Sequence, residues 1–230
     1  MNKKVILLLG VLLFPSVLYL VLTTGKHNFV HLQYFGPREV SKTLLNGKEK
    51  TDTIYHSVPS FRFVNQLGDT VTDKNYEGKI YVADFFFASC QSICPKMSTQ
   101  LQRVQEKFES NNDVLLLSHT VNPEEDTVQA LAKYAAMVHA NNKKWNFVTG
   151  DKKQLYDIAR NGYFVTALEG DGGPDDFIHS EKFILVDKEK HIRGIYDGTS
   201  TVEVDRLMDE INVLIAEYFV HTKRDKSAME

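Results

Sequence analysis

No stripe of lysine and arginine interrupts this sequence. With 27 basic against 30 acidic residues its net charge is −3, so nothing in it predicts a face for nucleic-acid phosphates. Internal repeats and low-complexity tracts are missing too, and at 43% apolar and 25% charged residues a collagen, a coiled coil and a disordered chain are excluded. Cysteine is scarce: Cys90 and Cys94 are the only two among 230 residues. A core of this size buries about 70% of the surface its unfolded chain exposes, so neither a metal nor a disulfide is needed to hold the fold. Thiol or metal chemistry is therefore not explained away as a staple.

Long uncharged runs are absent with one exception. Val5 to Leu22 is eighteen residues without a charge, preceded by Lys3 and Lys4. As a helix rising about 1.5 Å per residue it spans about 27 Å, the thickness of a bilayer core. No cysteine lies near it, which excludes lipoprotein processing, and Thr23, Thr24, Gly25 and Lys26 make a poor cleavage site. Residues 1–24 are read as a retained anchor over a cleaved signal, with the N-terminal lysines in the cytoplasm and the rest on the far side. Without Lys3 and Lys4 the net charge moves from −3 to −5. Residues 25–58 are polar, with Gly36, Pro37 and Gly47, and read as a tether and entry arm with a short strand at His31 to Phe35.

The domain is expected over residues 59–222, with 223–230 a polar tail. Phe61 and Phe63 alternate with polar neighbours up to Gly68-Asp69, which predicts an opening hairpin. Lys79 to Phe87 is nearly continuous apolar sequence, suited to a strand covered on both faces. Pro95 then opens a helix carrying Met97, Leu101, Val104 and Phe108 at helical spacing. Asp113 to Val121 reads as a second buried strand, Glu124 to Ala140 as a helix, and Trp145 to Thr149 as a strand. Asp151 to Asn161 reads as a helix, and Leu168 to Asp176 as an acidic glycine-rich loop. Lys182 to Asp187 and His191 to Tyr196 form an antiparallel pair, and Val202 to Val220 is a closing helix. Parallel strand-helix-strand followed by a hairpin and a helix is the order of a thioredoxin-like α/β sheet.

Cys90 and Cys94 fall at the junction of the strongest strand and the proline-started helix. Spacing of four puts both sulfurs on one face of a turn, near enough to share a metal or close on each other. Free N–H groups at a helix start lower a thiol's pKa from its ordinary value of about 8.5. Two core cysteines or a structural disulfide are the bland alternatives, but structural disulfides usually close longer loops. A working dithiol is preferred.

The run Ala88-Ser89-Cys90-Gln91-Ser92-Ile93-Cys94-Pro95 resembles the signature of the Sco/SenC family of membrane-anchored copper chaperones. So do Thr120 to Thr127 (TVNPEEDT), Trp145 to Gly150 (WNFVTG), and Phe177-Ile178-His179-Ser180 with Phe183 to Asp187 (FILVD). The resemblance implies a thioredoxin-like domain, with its N-terminal hairpin and transmembrane helix, holding one copper through Cys90, Cys94 and His179. Two thiolates and an imidazole are soft donors that suit Cu(I), with Cu(II) left open; structural zinc would want a fourth ligand. His27, His31, His56, His119, His139, His191 and His221 compete with His179, and His119, on the strand beside the cysteine strand, is its nearest rival. Gln91 stands where the family often has proline and Asn122 where it usually has aspartate. Asp84, inside the apolar strand, needs a partner or a raised pKa and reads as a satisfied core acid.

What the resemblance implies is a chaperone, not an enzyme. It would load the copper-A centre of cytochrome c oxidase subunit II, or a related copper acceptor, from the bacterial inner membrane with its domain facing the periplasm or cell exterior. A periplasmic thiol reductant would keep the dithiol reduced. The alternative is a thiol-disulfide oxidoreductase in which Cys90 and Cys94 are the redox-active pair and His179 is dispensable. A peroxidase with Cys90 attacking ranks last, because no nearby block supplies an arginine to steady a peroxide.

Overall fold

A computed structural model of the chain describes residues 3–4, 13–16, 31–45, 48–165 and 180–227, without the side chains of 43–45, 48–50 and 221–227. The chain divides into two compact units, Met1–Val30 and His31–Glu230. The few described residues of the first are helical.

The second unit begins with an antiparallel ribbon, β1 (Arg38–Leu45) and β2 (Lys48–Tyr55), in register from Arg38↔Tyr55 to Leu45↔Lys48. The sequence reads residues 25–58 as tether and entry arm, with no strand beyond His31 to Phe35, and the structure adds this ribbon. Its apolar Val40 and Ile54 stand exposed, and none of its described side chains is buried, so these give no alternating pattern of a core face. The signal it does carry is Asn46-Gly47, a dipeptide that favours two-residue hairpin turns. Of the expected strand at His31 to Phe35 a single bridge forms, with Phe35 N–H donating to the Ile192 carbonyl at 2.9 Å.

Seven further strands make the main sheet: β3 (Arg62–Asn65), β4 (Thr70–Thr72), β5 (Ile80–Phe86), β6 (Val114–Thr120), β7 (Trp145–Thr149), β8 (Lys182–Val186) and β9 (Ile192–Asp197). Their spatial order is β4-β3-β7-β6-β5-β8-β9. The middle three, β5, β6 and β7, run parallel, and the hairpins β3–β4 and β8–β9 join them antiparallel on either side. The helices are α1 (Cys94–Lys107), α2 (Val128–Met137), α3 (Lys152–Asp157) and α4 (Thr201–Ser227).

Every residue of β5 is buried. Its side chains alternate between two cores, as a strand covered on both faces requires. Ile80, Val82 and Phe86 join Met97 and Leu101 of α1, Leu131 of α2 and Leu207 of α4. Tyr81, Ala83 and Phe85 join Phe63, Ile158 and Tyr163. Each of the larger aliphatic and Phe side chains among these contributes about 1.5–3 kcal/mol by leaving water.

The largest differences from the sequence reading in the helix boundaries are three. Helix α2 starts at Val128, not Glu124, because residues 122–126 turn back on themselves and Thr127 caps it, its hydroxyl accepting from Ala130 N–H at 3.3 Å. Helix α3 ends at Asp157 and passes into a π turn, Ile158–Gly162. Helix α4 continues to Ser227 instead of ending near Val220.

Membrane placement is also corrected. No helix among the described residues is long and apolar enough to cross a membrane, so the reading of a single-pass inner-membrane protein with a periplasmic domain does not stand. The run Val5 to Leu22 on which it rested lies outside the described residues except for 13–16. The loop Leu168 to Asp176 and His179 lie outside them as well.

Candidate dithiol and metal site

Strand β5 hands the chain to the cysteines through a tight turn. Its last residue, Phe86, still accepts Val121 N–H at 2.9 Å, and then Cys90 N–H returns to the Phe87 carbonyl at 3.1 Å. Within that turn Ala88 N–H has no strand left to pair with. It donates instead to both carboxylate oxygens of Asp126, at 3.2 Å each. Asp126 is 2% exposed and also accepts the Thr120 hydroxyl. Burial raises its pKa, and those hydrogen bonds pull the other way.

Helix α1 begins at Cys94 with Pro95 in its first turn, and the preceding Ile93 offers no side-chain cap. The sulfur of Cys90 lies beside that helix start, 3.6 Å from the Ser92 hydroxyl. Both cysteines are free and buried. Burial works to raise the Cys90 pKa, but the bonds from Cys94 and then Ser92 outweigh it and bring it down to about 7. Cys94 goes the other way, pushed up to about 12 first by burial and then by its hydrogen bond to Cys90. One ready thiolate and one held thiol result.

Asp84 pairs in register with Ser118, whose hydroxyl donates to it, while Trp145 Nε1–H donates to that same hydroxyl at 2.8 Å. Burial raises the carboxyl to about 7, partly offset by Ser118. It is a core acid with a partner, and its charge also helps hold the Cys94 thiol protonated.

His119 is not the rival ligand that its position in β6 suggests. It pairs with Phe85, so it faces the second core, whereas Cys90 and Cys94 belong to the first. Its ring is 0% exposed, stacked on Phe85 and edged by Phe61, Phe63 and Tyr163. Burial drives its pKa down to about 3, leaving a neutral aromatic filler. Other histidines are committed elsewhere: His31 to Glu217 at 2.8 Å, His56 to the Gly162 carbonyl at 2.9 Å. Among the described residues the one group of three potential metal donors is Asp187, Glu189 and His191, and no third donor joins the two sulfurs. Asp187 there is already taken by Arg193 at 2.9 Å.

Sequence reasoning finds the cysteines but gives no role to Asp126. Its signal was the TVNPEEDT block itself, where Thr120 and Asp126 are spaced to meet across a turn. Gln91 is exposed and Asn122 buried; Asn122 accepts Asp126 N–H on its carbonyl at 2.9 Å. Beside the turn a cleft of about 350 Å³ opens between Ala88 and Ser89 on one side and Lys133, Tyr134 and Met137 of α2 on the other.

Two sulfurs with no disulfide between them, one of them about half ionised near neutrality, can take a soft metal ion or exchange with another disulfide. Comparison with known proteins agrees with that chemistry. The model of the SCO1/SenC family matches residues 49–216. A relative named "SCO1 protein homolog" from Bacillus subtilis (strain 168) is 29% identical over 167 residues, 72% of this chain and 86% of that one. Other relatives are longer: the chain covers 47% of the mitochondrial SCO1 homolog 1 of Arabidopsis thaliana. Among solved structures, that of BsSco superposes with a TM-score of 0.59 at 29% identity, covering 69% of this chain and 93% of that one. BsSco is described as a member of the Sco family of cytochrome c oxidase assembly proteins with a disulfide switch. Arabidopsis thaliana ScoI with copper bound superposes with a TM-score of 0.56 at 29% identity, over 70% of this chain and 98% of that one.

Proposed function

This chain belongs to the SCO1/SenC family, and from that premise we propose that it is a copper metallochaperone. It takes up one copper ion on Cys90, Cys94 and His179 and passes it to the copper-A centre of cytochrome c oxidase subunit II or a related acceptor. The observation that carries this reading is the pair of free sulfurs side by side at the head of α1. Their donor chemistry fits Cu(I), a soft ion content with few ligands. Support also comes from the copper-bound Arabidopsis relative and from the oxidase-assembly role given for BsSco.

Copper is cargo here, and the protein's part is to hold and release it. Cys90 binds readily because it is already about half thiolate near neutrality, whereas Cys94 gives up its proton as the metal arrives. Release follows by ligand exchange, the acceptor's thiolates replacing His179 first and the two cysteines after it. Because the ligands are thiolates, a thiol reductant must act first. Titrating the reduced chain with Cu(I) should show one equivalent bound, with Cys90→Ala, Cys94→Ala and His179→Ala each weakening it. A fully reduced protein that binds no stoichiometric copper refutes the reading.

The unequal thiols favour a second reading, thiol-disulfide exchange, and BsSco's disulfide switch gives it a precedent. Cys90 thiolate would attack a target disulfide, and Cys94, losing its proton, would close on Cys90 and release the reduced target. A His179→Ala variant that loses copper but keeps full exchange separates the two roles.

A further inference from the structure

We propose that Asp126 is a positioning residue for the dithiol: its buried carboxylate clamps the Phe87–Cys90 turn and so holds the Cys90 sulfur where Cys94 can meet it. The proposal rests on reading Cys90 and Cys94 as a working dithiol, and needs no copper.

Three observations carry it. Ala88 N–H is the donor left over where β5 ends, and Asp126 takes it with both oxygens at 3.2 Å. Asp126 is itself fixed from behind, by the Thr120 hydroxyl and by its own N–H to the Asn122 carbonyl at 2.9 Å. Thr120 is in turn fixed by Asn122 N–H at 3.0 Å. The carboxylate is buried, and among the described residues no cation pairs with it, so these donors are what keep it there. The clamp therefore joins the exit of β6 to the exit of β5, the two chain ends that shape the cysteine turn. Without it the turn retains the Cys90 N–H bond to Phe87 but loses its tie to the sheet. The sulfur of Cys90 then samples positions from which Cys94 is out of reach, and ring closure becomes less favourable.

The test is the equilibrium of the full-length protein with glutathione. In that exchange the Cys90–Cys94 disulfide breaks to a dithiol as two glutathione thiols give up two protons and two electrons and join as the disulfide. Asp126→Ala should shift the equilibrium about tenfold toward the dithiol, which is about 30 mV for a two-electron couple. Asp126→Asn, whose amide oxygen still accepts from Ala88, should shift the equilibrium clearly less than Asp126→Ala, since the charge-assisted bonds from Ala88 and Thr120 become neutral ones. Thr120→Val should fall between them. Ile184→Ala, which empties part of the second core, should lower the melting temperature and leave the equilibrium alone. A folded Asp126→Ala at the wild-type equilibrium overturns the proposal, as does Ile184→Ala shifting it equally. If Asp126→Ala does not fold, Thr120→Val decides, and no shift there is refutation. Failure of the copper reading shows separately, in the wild-type chain, as no Cu(I) bound.

Discussion

At pH 7 iodoacetamide should find one cysteine in this protein, not two. An ordinary thiol of pKa about 8.5 is about 3% ionised at that pH. With its pKa near 7, Cys90 is about half ionised, a gain of about fifteenfold. Part of that gain is returned, because nucleophilicity falls with pKa at a Brønsted slope of about 0.4–0.5, or about fivefold over 1.5 units. The net is about threefold faster alkylation than a free cysteine of equal access. Cys94, near 12, has about one thiolate in 10⁵ at pH 7 and should stay unmodified. Ser92→Ala removes one neighbour of the Cys90 sulfur and leaves Cys94 in place, so the midpoint should rise by less than about one pH unit. The assay is alkylation of the reduced full-length chain from pH 5 to 9, read by peptide mass. Equal labelling of both cysteines at pH 7, or a Cys90 midpoint at 8.5 or above, refutes the reasoning.

Three further outcomes concern stability. Burial lifts Asp84 to about 7, so between its unfolded value of about 3.9 and 7 the folded state keeps a proton the unfolded chain has lost. Its contribution is therefore full below pH 4 and declines as the pH rises through 7. Asp84→Asn should flatten that slope, worth at most about 4 kcal/mol between pH 4 and 8 in urea unfolding, and parallel curves would sink the idea. Arg193 bonds Asp187 at 2.9 Å, Glu217 at 3.1 Å and the Leu32 carbonyl at 2.8 Å. Arg193→Met leaves buried Asp187 without its arginine and buried Glu217 with only His31, and should cost about 3–5 kcal/mol, a fall of about 10 °C in thermal unfolding by circular dichroism. At Gly194 an added Cβ would sit 2.0 Å from the Tyr196 hydroxyl, so Gly194→Ala should lose about 1–3 kcal/mol in the same measurement.

What the sequence discloses follows from where it carries contrast. The run Lys79 to Phe87 announces β5 because a strand buried on both faces is apolar throughout. That same property hides the side on which His119 lies: residues 114–120 are apolar or small on both parities, so nothing but the register Phe85↔His119 tells which core the ring enters. The cysteine pair is legible from its spacing and from Pro95. The clamp on it is not, since Ala88 and Asp126 meet only once β5 and β6 are aligned. The ribbon β1–β2 escapes because strands whose described side chains are all at least partly exposed have no buried period to read.

The bridge from Phe35 to Ile192 has a bearing on the fate of this protein at high concentration. Phe35 N–H occupies the outer margin of β9, and Val58 N–H takes the Lys190 carbonyl at 2.8 Å just beyond it. At the opposite margin β4 is three residues long. A neighbouring molecule that tries to extend the main sheet meets β9 capped at its Ile192 end and, at the opposite margin, a strand too short to template much growth, so strand-upon-strand addition at the start of β9 requires the segment around Phe35 to peel away first.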